Sequence, residues 1–300
     1  MTVVVTGAAG FIGTHLVAAL ARRGHDVTGI DRRILAAEVD CTGVLADLAE
    51  PSSVVDGHLQ SADAVFHLAA FPGVRSSGPQ AHERRRRDNA GTARRVLETV
   101  PLDVPVIVTS SSSVYGGSAG APCSETDRLR PLGGYAESKV DVERLVAKRV
   151  SRGGLVAVAR PFTVAGEGQR PDMALARWIA CARDGRALPI LGGLDRSRDI
   201  TDVHQVVEGL IRMADRGVRA TINLGTGQAH TLGKMVAAVA SALDIDVRTV
   251  VTPAGDQEPP ATLADTTRCA ALLGFVPETD LAALVARQAA AARAPVAVAR

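Results

Sequence analysis

Thr2-Val-Val-Val-Thr-Gly7-Ala-Ala-Gly10-Phe-Ile-Gly13 opens the chain, and its reading decides the fold. Four β-branched residues, Thr2 to Val5, predict a strand that runs into a glycine-spaced turn. Phe11, Ile12, Leu16, Val17 and Leu20 then recur at helical spacing and predict a helix to Arg23. A strand–turn–helix of this kind aims helix N-terminal N–H groups, and the positive end of the helix dipole, at whatever lies over the strand. A pyrophosphate suits that position. Glycine is required because a Cβ would block the phosphate or the close approach of helix to strand. A second strand, Val27 to Ile30, ends at Asp31, where a ribose diol would arrive. A bare tight turn is the alternative, and the strand, helix and acid around this one favour a ligand.

The 300 residues suffice for one large α/β unit or two modest domains. Hydrophobic residues make up 46% and aromatics 3%, which implies an aliphatic core. A net charge of +2 is too balanced to call for nucleic acid, and no nucleic-acid partner is expected. The densest basic run, Arg84 to Arg87, falls in an expected helix and reads as a solvated face, with a polyanion site as the alternative. Cys41, Cys123, Cys181 and Cys269 are widely spaced, without CxxC or a histidine partner. They read as reduced thiols of a cytoplasmic protein, and no metal site is expected. With a strand expected from residue 2, no secretory leader is expected. No apolar run approaches the ~18 residues of a membrane span.

Further along, Val44 to Leu48 reads as a short strand closing on Asp47, an acid that could reach an adenine or be an ordinary loop aspartate. Ala64-Val-Phe-His67-Leu68-Ala69-Ala70 reads as a buried strand whose small C-terminal residues let a cofactor lie close. His67, inside an apolar run, reads as a core histidine rather than a catalytic one. A helix from about Pro79 to Thr99 carries Asn89 and Thr92. The next strand, to Thr109, ends in the hydroxyl cluster Ser110-Ser111-Ser112-Ser113. Alternating β and α segments imply a parallel sheet with helices on both faces and right-handed crossovers, and ligands at the strands' C-terminal edge. Tyr135 and Lys139 then begin a helix that runs to about Arg149. At i and i+4 they share a face, so the ammonium is expected to lower the phenol's pKa and fit Tyr135 for acid/base work beside a serine hydroxyl.

With these residues in place, the sequence resembles an extended short-chain dehydrogenase/reductase of the NAD-dependent sugar epimerase/dehydratase family over nearly its whole length. The family's Gly-x-x-Gly-x-x-Gly turn matches Gly7, Gly10 and Gly13, its "HLAA" strand His67 to Ala70, and its "N-x-x-G-T" asparagine Asn89. The resemblance implies NAD as cofactor, held by that turn with Phe11 and Ile12, by Asp31, Arg32, Asp47, Leu48, Leu68, Ala69, Ala70, Asn89 and Pro161, and by Tyr135 and Lys139. Asp31 favours NAD over NADP. The catalytic set falls on Ser111, Tyr135 and Lys139.

In particular the chain resembles UDP-glucuronate and UDP-glucose 4-epimerase-like members. Phe71-Pro-Gly-Val-Arg75-Ser resembles their "AGVRxS", Ser110 to Gly116 their "SSSSVYG", and Arg160 to Ala174 their "RFFTVYGPxxRPDMA". Arg198-Asp-Ile-Thr201 resembles "RDFT", whose arginine meets the nucleotide diphosphate. Substrate contacts are therefore implied for Arg75, Ser111, Ser112, Ser113, Thr163, Arg170, Met173 and Arg198. Arg170 could pair with a C6 carboxylate or make a diphosphate or loop contact. The implied fold is α/β, a doubly wound parallel Rossmann sheet with a smaller C-terminal substrate domain, organised as a dinucleotide domain of residues 1–160 and 199–227 and a nucleotide-sugar domain of 161–198 and 228–300, in a homodimer. The implied reaction is a redox-neutral 4-epimerisation of a UDP-hexose or UDP-hexuronate. A 4-keto-reductase or decarboxylase is the alternative within the family, and a non-catalytic dinucleotide-binding protein the remote one. Ser112 and Ser113 stand where dehydratases carry an Asp-Glu pair, which argues against dehydration. Other departures cluster in the second half: Ala165 and Glu167 around "VYGP", Asp202, His204 and Gln205 after "RDFT", and Ala254 before Gly255.

Overall fold

Seven strands form one parallel sheet: β1 (Thr2–Thr6), β2 (Asp26–Asp31), β3 (Thr42–Leu45), β4 (Ala64–His67), β5 (Val106–Thr109), β6 (Val156–Pro161) and β7 (Thr221–Leu224). In this computed structural model, which describes residues 1–35, 40–72, 78–118 and 120–292, they lie in the order β7-β6-β5-β4-β1-β2-β3. The inner strands are runs of Val, Ile and Ala buried on both faces, as an all-parallel sheet demands. Chain direction across the sheet reverses at β1, because β2 and β3 extend to one side and β4 to β7 to the other. The crevice at the β1/β4 boundary is therefore the ligand position of this fold.

One face is covered by α1 (Phe11–Arg22), α7 (Val203–Asp215) and α9 (Thr267–Leu273), the other by α2 (Ser53–Gln60), α4 (Thr92–Thr99) and α5 (Gly134–Ser151). A third core joins α6 (Ala174–Arg183), α8 (Leu232–Leu243) and α10 (Leu281–Ala291) to the strand Leu188–Leu191. The expected division puts residues 228–300 wholly on the sugar side. Cys269 and Leu273 of α9 instead pack into the sheet's core, because their apolar face meets β7 and α7.

The helix expected from Pro79 to Thr99 is interrupted. After α3 (Pro79–Arg85), residues Arg86–Gly91 form a π-helical turn before α4. A π turn holds one residue more than an α turn and shifts which side chains face inward. Here it buries Asp88 and Asn89. It also breaks up the arginine run: Arg85 is buried, Arg86 pairs with Glu83, and Arg87 reaches Asp47, Glu50 and Asp88. The run is neither a plain solvated face nor a free polyanion site. No helix among the described residues is long and apolar enough to cross a membrane.

Candidate active site

At the β1/β4 crevice the turn is closed by sterics. Gly7 has φ of +73°, and a Cβ there would lie 2.7 Å from Ala69 N. A Cβ at Gly13 would lie 2.1 Å from the Gly7 carbonyl oxygen. Gly10 is the N-cap of α1 and offers no side chain to the first-turn N–H groups. They are left for a ligand, which is the cradle a pyrophosphate needs. Asp31 stands at the rim, its carboxylate accepting from Ala9 N (3.1 Å) and Arg33 N (3.0 Å). Arg32 turns away to Asp88 (3.1 Å), and the Arg33 guanidinium donates to the Ala9 carbonyl. Asp47 follows β3 instead of ending it. Burial pushes its carboxyl up, but the Ala49 N–H and the Arg87 guanidinium outweigh this and hold it below the usual carboxylate range.

The crevice opens into one cavity of about 1070 Å³. Phe11, Ile12, Asp47, Leu48, Leu68, Ala69, Ala70 and Pro161 line its dinucleotide end, and Ser111, Ser112, Ser113, Tyr135 and Lys139 its middle. Thr163, Arg170, Met173 and Arg198 line the far end. Arg75 lies outside the described residues. Of the remaining expected residues, Asn89 is placed otherwise. Asn89 is 1% exposed and does not line the cavity: its Oδ1 accepts from Phe71 N (2.6 Å) and its Nδ2 donates to Ser138 Oγ (2.8 Å). The π turn swings it into a link between the strand-end loop and α5.

Ser111 caps a short 3-10 turn, Ser112–Tyr115, its Oγ accepting from Ser113 N (3.1 Å). Tyr135, in the first turn of α5, lines the same stretch of the cavity. Burial pushes the Tyr135 phenol above its ordinary value, opposed by the Ser111 hydroxyl and the charge of Arg170. This corrects the expectation that Lys139 lowers it. The Lys139 ammonium donates to the Thr109 carbonyl (2.8 Å) and stands 5.9 Å from the Tyr135 ring centre. Burial lowers Lys139 to about 8, against the pull of Glu143. His67 is a core histidine: it is hydrogen-bonded to Thr6 Oγ1 (2.8 Å), and burial holds it neutral, lowered to about 3.

At the far end the arginines are already engaged. Arg170 pairs with Asp172 (2.9 Å) and donates to the Pro72 carbonyl (2.8 Å). Arg198 pairs with Glu258 (2.7 Å). The arrangement can hold a dinucleotide at one end and an anionic ligand at the other, with a Ser/Tyr/Lys proton-handling set between them.

Residues 3–225 match the family model for the NAD dependent epimerase/dehydratase family. The chain belongs to that family. It is 33% identical to the uncharacterized UDP-glucose epimerase YtcB of Bacillus subtilis (strain 168) over 94% of each chain. Its fold superimposes with a TM-score of 0.89 on MoeE5 in complex with UDP-glucose and NAD, at 37% identity over 98% of this chain and 99% of that one. The UDP-glucuronic acid 4-epimerase of Bacillus cereus, in complex with UDP-glucuronic acid and NAD, gives a TM-score of 0.90 at 27% identity, over 97% and 98%.

For this member of the NAD dependent epimerase/dehydratase family, the structure adds residues that motif reading passed over. Glu258 holds Arg198 across 60 positions of sequence, and no local pattern announces it. Arg177 lines the cavity from α6, one helical turn after Met173, a spacing that could have found it. Arg84 stacks over Phe71, 4.3 Å from its ring centre.

Proposed function

We infer that the chain is an NAD-dependent nucleotide-sugar 4-epimerase acting on a UDP-linked hexose or hexuronate. The observation that carries this is a single cavity in which the glycine-walled, uncapped N-terminus of α1, the Ser111–Tyr135–Lys139 set and the arginines of the far end all open. UDP-sugar complexes of the similar MoeE5 and of the B. cereus enzyme support the substrate class. The four free cysteines support a reducing, cytoplasmic setting.

The α1 N-terminus would hold the pyrophosphate and Asp31 the adenosine ribose, with Arg32 and Arg33 turned to other partners. When bound, NAD+ supplies the acceptor for the C4 hydride, returns that hydride, and brings a positive charge beside Tyr135. Ionised under that charge, the Tyr135 phenolate would take the C4 hydroxyl proton, with Ser111 sharing the same substrate oxygen and passing the proton on. Lys139, which donates to the Thr109 carbonyl, would hold the nicotinamide ribose. On return of the hydride to the opposite face, the proton goes back from Tyr135 and the two C4 epimers interconvert with no net oxidation.

Purified protein should interconvert UDP-glucuronate and its C4 epimer without added dinucleotide. Tyr135→Phe should lose about 10³-fold in kcat while keeping its bound NAD. Near-wild-type turnover in that variant overturns the mechanism. A requirement for added NADPH, or release of CO2, replaces it with reduction or decarboxylation.

A further inference from the structure

The loop from Gly166 to Met173 carries Arg170 and forms one wall of the cavity. Its other side is held by residues from three distant elements, and each contact is polar. His15 of α1 donates from Nε2 to the Glu167 carbonyl (2.9 Å). His204, in the first turn of α7, faces the Glu167 carboxylate (3.7 Å) and meets the His15 ring edge-on, with centres 4.9 Å apart. Arg287 of α10 donates from Nε to Glu167 Oε1 (2.8 Å) and from its other arm to Asp202. Its neighbour Gln288 donates to Gln169 Oε1 (2.8 Å), and Gln169 donates to the Val164 carbonyl (2.7 Å).

Glu167, Asp202, His204 and Gln205 are four of the positions where the sequence departs from its family's pattern. In three dimensions these departures converge on the C-terminal segment. Asp202 N donates to Thr279 Oγ1 (3.0 Å), and Gln205 accepts from Glu278 N (3.2 Å). Ordinary hydrophobic packing of α10 against α6 and α8 would not need these contacts. Arg287 reaches Glu167 from 120 residues away and ties it to Asp202 at the start of α7.

We infer that Arg287 and Gln288 are positioning residues for sugar recognition: together with Glu167 they clasp the loop from behind and set where Arg170 meets the substrate. The inference rests on the nucleotide-sugar reading above. Neither residue lies among those lining the cavity, so both act through the loop. Burial pushes the Glu167 carboxyl up, but its hydrogen bonds, Arg287 and His204 outweigh this and keep it ionised for the clasp.

A double-mutant cycle tests this, with the dissociation constant for UDP-glucuronate measured by calorimetry on the NAD-loaded protein beside KM and kcat. Arg287→Met should weaken binding and raise KM by about tenfold with kcat within about twofold, and Arg287→Lys should recover part of the loss. In an Arg170→Met background, Arg287→Met should add nothing further. An unchanged dissociation constant in Arg287→Met overturns the inference, as does the same loss in both backgrounds. If Arg287→Met does not fold, Glu167→Gln breaks the same clasp more gently and is read by the same cycle. If the wild-type protein binds UDP-glucuronate but turns over neither it nor UDP-glucose, the epimerase reading fails and the binding cycle still decides the clasp. Failure to bind either sugar nucleotide overturns both.

Discussion

The turn from Gly7 to Gly13 and the loop from Gly166 to Met173 face each other across one cavity. A Cβ on Gly168 would sit 3.9 Å from the Phe11 ring. Yet they are held in opposite ways. The turn is closed by its own backbone, with Gly10 N donating to the Gly7 carbonyl (2.9 Å) and α1 packed so close that only glycine fits at residue 13. The loop is held by side chains of His15, His204, Arg287 and Gln288, none of them near it in sequence. A site fixed by sterics is rigid and makes a general clamp. One fixed by a handful of polar side chains can be re-aimed by changing them, which suits the end that chooses the sugar.

Gly13→Ala should produce the largest effect. Its Cβ would meet the Gly7 carbonyl at 2.1 Å, so the turn must open. We expect dinucleotide-free protein, destabilised by about 3 kcal/mol in urea titration. Gly168→Ala is the matched change on the loop. It has φ of +77° but no close neighbour. It should lose only about 1 kcal/mol and keep NAD. If Gly13→Ala retains NAD after purification, the contrast between the two walls is wrong.

Arg198→Met probes the far end next. It removes a guanidinium suited to phosphate oxygens and leaves Glu258 without this partner. KM for a UDP-sugar should rise by roughly 30-fold, about 2 kcal/mol, with the dinucleotide content unchanged. Loss of bound dinucleotide instead would place Arg198 with the turn.

His67, beneath the turn, is read through pH. Its folded pKa is lowered to about 3 from an ordinary 6.5, so between those values the unfolded chain binds a proton that the folded chain refuses. Stability therefore falls as pH drops below about 6.5, by up to about 1.4 kcal/mol per pH unit. In His67→Asn this slope should shrink by that amount. An unchanged slope in urea titrations from pH 6.5 to 4.5 would show that His67 is not the group responsible.

Much of this was legible in the chain itself. The apolar runs of β1, β4 and β5 are buried on both faces of the sheet, so their composition alone announced a parallel sheet. The glycine spacing announced the clamp, because the clash that demands glycine at residue 13 and the positive φ of residue 7 arise within a few residues of chain, although the Ala69 backbone that also bars a Cβ at residue 7 is brought there by the sheet. Tyr135 and Lys139 share a helix face by periodicity. The acidity of Tyr135 was not legible: it depends on burial, Ser111 and Arg170, which meet only in the folded protein. Neither was the place of Asn89, since a π turn carries no spacing signal and is set by what the helix packs against.

By itself, then, the sequence determined the sheet, the dinucleotide turn and the identity of the proton-handling residues, because each depends on local sterics or a fixed backbone period. Only the tertiary structure decided what those residues touch. It paired Arg198 with Glu258, tied Asn89 to Phe71 and Ser138, and drew Glu167, Asp202 and His204 into one cluster with Arg287. Such pairs are separated by tens to more than a hundred residues. Coulomb attraction and hydrogen bonding act only at a few ångströms, a proximity that folding creates and no spacing along the chain records.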